Sequence, residues 1–249
     1  MTSPRPFKDQ LGTGFGVAAA TYQRGRPDYP DDLVAWLVGD AGRIADVGAG
    51  TGKLTSTLRR LGHEVVAIDP DARMLEALRT AVGEVETHVG RAEQIPLPDG
   101  AVDAVTFGQA WHYWVDPEPA SVEAARVLAP GGVLGLIWNI RDDAAAPWAA
   151  ELTTMVAQSE AERMLAAGPP TVTAPFGPAE HRVHRWRRSM TVADVRDMVA
   201  SRSHFIAAPP AEQQQVLARV TELVESVADA DGSVELPYRT EAFRHHIAG

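Results

Sequence analysis

Short apolar runs alternate with helically spaced apolar positions through the first half of the chain, which predicts a parallel sheet wrapped by helices. The runs fall at 43–47, 64–68, Val85 to Val89, Val102 to Phe107 and Gly132 to Trp138. Between them, a helix over 52–61 places Leu54, Leu58 and Leu61 on one face, and one from Asp71 to Val82 aligns Leu75, Leu78 and Val82. A third lies near Ala120 to Leu128, ended by Pro130-Gly131-Gly132. Ahead of the first strand, Asp31 or Asp32 is placed to cap a helix through about Val38. The fifth run lacks alternation, so burial on both faces is expected.

Beyond residue 139 the pattern changes. Residues 141–170 look helical through Leu152, Met155 and Val156, up to Gly168-Pro169-Pro170. A basic strand at 181–188 precedes helices near 191–201 and 210–228, the later one with Val216, Val220, Leu223, Val224 and Val227 on one side. Ser233 to Leu236 reads as the last strand. The expectation is an α/β chain with a doubly wound, mostly parallel sheet in a single domain. Its parts are a polar arm at 1–30, a core at 31–139, a helical insertion or cap at 140–190, and C-terminal helices and strands at 191–249.

The turn after the first strand carries the chemistry. In Ala45 to Leu54 the strand end meets glycines at 48, 50 and 52, and a helix follows. Glycine lets a ligand approach bare backbone, and the helix start offers unpaired N–H groups. The spacing is not the dinucleotide fingerprint, whose third glycine lies one residue further on. It is not a phosphate loop either, because Leu54 follows Lys53. Asp46, two residues before Gly48, would repel a pyrophosphate and attract an ammonium. The second strand ends in Asp69, where doubly wound folds place an acid for ribose hydroxyls. An ammonium acid combined with a ribose acid suggests S-adenosylmethionine.

With these residues the chain resembles the class I S-adenosylmethionine-dependent methyltransferases. The resemblance runs through D-x-G-x-G-x-G at 46–52, Asp69, GRAEQIPLPDG at 90–100, FGQAWHYW at 107–114 and RVLAPGGVLGLIWN at 126–139. With YQRGRPDYP, Tyr22 to Pro30, it is most similar to the small-molecule branch that includes trans-aconitate methyltransferase-like proteins. The resemblance implies a seven-stranded sheet with the last strand antiparallel beside strand five. It also implies a cofactor site of Asp46, Gly48, Ala49, Gly50, Gly52, Asp69, Pro70, Ala92, Glu93 and Gln109, with Tyr22 and Arg26 closing over it from the arm.

Methyl transfer from a sulfonium is an in-line displacement that needs no metal, and alignment alone is worth up to roughly 7–11 kcal/mol. The segment Trp111-His112-Tyr113-Trp114 follows strand four, whose carboxyl end faces the ligand crevice of such sheets. Trp111, Tyr113 and Trp114 are therefore candidates to line the acceptor pocket, although Trp111 and Trp114 also suit simple packing at a helix start. His112 is the candidate base, or else a hydrogen-bond donor that orients the acceptor. Tyr29 and Arg141 complete the acceptor candidates, since a guanidinium grips a carboxylate in a fork.

Several other features carry less. His181 and His184 point to opposite faces of a strand, so they make no metal pair. The run His181 to Arg188 reads as an edge strand blunted by charge. His245 and His246 are expected to face solvent, and Asp142-Asp143 lacks a third ligand.

Composition narrows the partners. The net charge of −10 opposes nucleic-acid binding. The chain has no cysteine, which removes disulfides, thiolate metal sites and cysteine nucleophiles. The start MTSPRPFKDQLG lacks a signal-peptide core, and no stretch approaches the ~18 apolar residues of a membrane span. A cytoplasmic enzyme acting on a small molecule is expected, with no metal, nucleic acid or membrane. The competing classes are a non-catalytic S-adenosylmethionine-binding regulator and a nicotinamide-dependent oxidoreductase. The glycine spacing and Asp46 disfavour the latter.

Overall fold

The computed structural model describes residues 26–111, 115–156, 158–202, 205–206 and 208–248. Residues 27–189 and the chain from Glu235 onward form one compact unit, and Met190–Val234 belong to a second.

In the larger unit, helix α1 (Asp31–Val38) leads to β1 (Arg43–Val47), α2 (Lys53–Arg60), β2 (Glu64–Asp69), α3 (Ala72–Val82) and β3 (Glu86–Val89). Then come β4 (Val102–Gly108), α4 (Pro117–Val127) and β5 (Leu128–Arg141). A 3-10 turn (Asp143–Ala145), α5 (Pro147–Val156), α6 (Glu160–Ala167) and β6 (Glu180–Thr191) follow. The smaller unit holds α7 (Val192–Ala200) and α8 (Pro210–Val227), after which β7 (Ser233–His246) returns to the sheet. Helices α7 and α8 pack on one another. Their buried positions are Val195, Met198 and Val199 on α7, and Val220, Leu223 and Val224 on α8.

The sheet has seven strands in the order β3-β2-β1-β4-β5-β7-β6. Pairing is parallel from β3 to β5, and β7 is antiparallel to β5 from Val133↔His246 to Arg141↔Tyr238. This is the doubly wound, mostly parallel fold expected, with β6 as a charged edge strand.

Side chains that alternate along the strands divide between the two faces of the sheet, as a pleat of period two demands. Ala45, Val66, Val105, Leu136 and Phe243 pack with α4 on one face. Ile44, Val65, Ala104, Ile137 and Ala242 pack with α1 and α2 on the other. Burial of β5 on both sides agrees with its unbroken apolar run.

Four local expectations are corrected. Helix α1 starts at Asp31 with Pro30 as its N-cap and no capping side chain, so Asp31 and Asp32 sit in the first turn and favour the helix dipole instead. Pro130-Gly131-Gly132 does not end α4, which stops at Val127; β5 begins at Leu128 and runs through those residues. It does so with a register shift against β4 between Val102 and Ala104. Strand β7 extends ten residues past Leu236, because Pro237 lies beyond the β5 register and costs no bond to β5. His245 is buried against the Gly177 carbonyl (3.0 Å) and packs edge-on to Phe176, while His246 is exposed.

Candidate active site

The carboxyl ends of β1 and β2 build the centre of the site. After Val47 the backbone N–H groups of Gly48 and Ala49 both donate to the Ile68 carbonyl, at 2.8 and 3.1 Å. This stitches the loop onto the neighbouring strand. Gly48, Gly50 and Gly52 all take positive φ, at 70°, 55° and 86°. Their side-chain directions differ in meaning. A Cβ on Gly52 would meet Leu78 and Val82 at 2.8 Å, so that glycine allows α2 to sit close against α3. A Cβ on Gly50 would enter open space. The backbone there faces a cradle that any side chain would fill.

Asp69, at the end of β2, accepts from Gly50 N through Oδ2 and from Asp71 N through Oδ1, both at 2.9 Å. The carboxylate thus fixes the glycine loop and retains lone pairs for a diol. Its pKa is raised because burial outweighs those backbone donors. Asp46 lies deeper, 1% exposed, and Oδ2 accepts from the Thr55 hydroxyl at 2.6 Å. Its other oxygen is buried and meets no donor among the described residues. Desolvation pushes its pKa up to about 7, partly offset by Thr55, with the nearby Asp69 charge adding to the rise.

Both features fit an adenosyl amino acid: an unfilled backbone cradle, and two acids, one with an unsatisfied acceptor. Asp46 and Asp69 stand at the ends of adjacent strands, as the sequence implied. Pro70 is exposed beside them, whereas Ala92 packs in the core and Glu93 accepts from Asp116 N at 2.9 Å.

The second half of the crevice is made by β4 and β5. Gln109, just past β4, holds φ 59°, the sole positive value of a non-glycine among the described residues. Its backbone N–H donates to Ile137 O (2.9 Å) and its Nε2 to Asn139 O (2.6 Å). Asn139 in turn accepts from the Thr240 hydroxyl (2.6 Å) and donates through Nδ2 to Asp28 O (3.2 Å) and Pro27 O (3.4 Å). Lys53 Nζ reaches Asp28 at 2.9 Å. Sequence reasoning passed over Asn139, Thr55, Lys53 and Thr240. The available signals were a polar residue closing the apolar run of β5 and a hydroxyl in the first turn of α2.

Three acceptor-site candidates already have partners within the protein. The Trp111 ring meets Phe107 edge-on at 4.8 Å, and its Nε1 donates to Thr171 O at 2.8 Å. Tyr29 is buried in the core under α1, with its hydroxyl 2.9 Å from where a Gly108 Cβ would stand. Arg141 offers no open fork, because its guanidinium is buried against Glu162 at 3.1 Å and its Nε faces Thr153 at 3.3 Å. Arg26 is half-buried. Tyr22, His112, Tyr113 and Trp114 lie outside the described residues. Among the described residues no cluster of three His, Asp or Glu side chains is placed to hold a metal, and no helix is long and apolar enough to cross a membrane.

A doubly wound sheet with a glycine cradle and two carboxyl-end acids defines a nucleoside-binding transferase of the methyltransferase type. Comparison with known proteins agrees. Residues 45–136 match the methyltransferase domain family. An uncharacterized methyltransferase of Mycobacterium tuberculosis is 40% identical over 247 residues, covering 96% of this chain and 97% of that one. A methyltransferase-like protein of Schizosaccharomyces pombe is 31% identical, covering 92% and 93%. The solved structure of a candidate type II methyltransferase from Anaeromyxobacter dehalogenans superposes with a TM-score of 0.65 at 21% identity, covering 89% and 97%, which speaks to the fold. The chain belongs to the class I S-adenosylmethionine-dependent methyltransferases.

Proposed function

We propose that this enzyme methylates an oxygen, nitrogen or carbon atom of a small-molecule metabolite. The observation that carries the reading is the open backbone cradle at Gly50, held in place by Asp69. In this reading the loop of Gly48, Ala49, Gly50 and Gly52 seats the donor, Asp69 takes its ribose and Asp46 its ammonium. Pro70, Ala92, Glu93 and Gln109 surround the nucleoside. Bound there, S-adenosylmethionine supplies a sulfonium methyl that is open to in-line displacement. The chain's own contribution is alignment of the acceptor and exclusion of water. In this reading His112 either takes a proton from an acceptor that carries one or donates a hydrogen bond that orients it.

A small acceptor is supported by the net charge of −10, which suits no phosphate backbone. It is supported too by Gly108-Gln109-Ala110-Trp111 standing where many base and glutamine N-methyltransferases carry asparagine-proline-proline-aromatic. The test has two stages. Calorimetry with S-adenosylhomocysteine is expected to show binding; no binding of it or of the donor would overturn the reading. A metabolite screen with methyl-labelled donor is then expected to yield one labelled small product. Label appearing only in protein or nucleic acid would overturn the small-molecule assignment.

A further inference from the structure

Residues 27–29 cross the carboxyl ends of three strands, and each crossing is tied. Asp28 is held by Lys53 at the start of α2, beyond β1. Tyr29 puts its hydroxyl over Gly108, the last residue of β4. The carbonyls of Pro27 and Asp28 accept from Asn139 Nδ2 near the end of β5. This last tie uses a side chain that is 7% exposed and saturated, since its Oδ1 accepts from Thr240, whose hydroxyl also accepts from Trp186 Nε1 at 2.9 Å. The backbone of the same residue serves a second segment. Asn139 O receives Gln109 Nε2, on the residue that leads from β4 toward Trp111 and His112. The positive φ of Gln109 is sustained by this bond and by its N–H to Ile137 O.

We propose that Asn139 is a positioning residue that sets the two covering segments of the site, the strap of residues 27–29 and the exit of β4, in one register over the cofactor cradle. The inference rests on the proposed donor site. A primary amide is the group this position requires. It must donate to two carbonyl oxygens and accept from a hydroxyl, and a carboxylate of the same shape would face those carbonyls with no proton to give. Thr240 acts one step away: it fixes which way the amide points but touches neither segment.

The experiment compares Asn139→Ala, Asn139→Asp and Thr240→Val in the full chain, by calorimetric affinity for S-adenosylhomocysteine, hydrogen exchange over residues 28–34 and thermal midpoint. Wild-type protein must first bind S-adenosylhomocysteine; failure there falls on the proposed function and not on Asn139. Asn139→Ala and Asn139→Asp are expected to lose about tenfold in affinity, the worth of one good hydrogen bond, with faster exchange in 28–34. Thr240→Val is expected to lower the thermal midpoint comparably while changing affinity by less than about threefold. If affinity in all three variants simply followed the loss of midpoint, or if neither Asn139 variant moved affinity or exchange, the assignment would be overturned. Asn139→Asp keeps the side chain's size, so it carries the test should the alanine variant fail to fold.

Discussion

The hydroxyl of Thr55 donates to one carboxylate oxygen of Asp46 at 2.6 Å, while the other oxygen is buried with no donor among the described residues. A carboxylate so placed is costly to ionise, and a cation arriving beside it relieves that cost.

The pH dependence follows from this pairing. The folded-state pKa of Asp46 is raised to about 7, so the native state holds a proton that the unfolded chain has released. Stability from this group is therefore present at low pH and declines as pH rises from the usual carboxylate range through about 7. Asp46→Asn is expected to flatten that decline in denaturant titrations at several pH values. Affinity for S-adenosylhomocysteine should run the other way in wild type, rising through about 7 as the carboxylate forms, and the variant should lose this rise. Affinity independent of pH in wild type would contradict the assignment of Asp46 to the ammonium.

Gly50 and Gly52 are expected to separate binding from stability. Gly50→Val places a branched side chain in the cradle and should reduce affinity for S-adenosylhomocysteine by roughly a hundredfold or more, from lost contacts and backbone strain together. Gly52→Val would drive a Cβ into Leu78 and Val82 and should destabilise the fold by about 3 kcal/mol, as overpacking and left-handed strain add. Calorimetry and urea unfolding of the two proteins distinguish the effects.

Asp69→Ala should weaken binding by roughly tenfold to a hundredfold, because it removes an acceptor for the ribose and frees the Gly50 amide. Asp69→Asn keeps one acceptor oxygen and should fall between the two proteins. Equal affinity in all three would place the ribose elsewhere.

The buried pair of Arg141 and Glu162 makes a prediction about stability. Glu162 also closes a capping box with Ser159 at the start of α6, so one carboxylate serves a helix end and a buried guanidinium. Glu162→Ala should cost about 3–5 kcal/mol, because a buried cation loses its counter-charge. Arg141→Met with Glu162→Leu should cost far less. Urea unfolding of both tests the pair. An equal loss in the two would show that packing, not charge, dominates there.

What could be read from the sequence differs by kind of residue. Strands β1 to β4 and the glycine turn were legible because apolar period and φ-tolerant residues are local properties. Asp69 was legible because topology fixes its distance from the turn. The partners of Arg141 and Trp111 were not legible, because only the fold brings Glu162 to the guanidinium and Phe107 with Thr171 to the indole. Asn139 was invisible for the opposite reason. Its partners lie far along the chain, Asp28 on one side and Thr240 on the other, and no spacing rule connects them. The full length of β7 was hidden by Pro237, which reads as a strand breaker until the register against β5 is known.

The insertion of β7 beside β5 has a consequence for how the molecule is made. Strand β5 finds its outer neighbour only after about another hundred residues have left the ribosome, as the Asn139–Thr240 separation of 101 positions illustrates. Until then one margin of the nascent sheet has unpaired amides, and chaperones or stray strands compete for it. Completion of this side of the sheet therefore waits on synthesis of β7, and a chain stalled before it would leave that edge of β5 open.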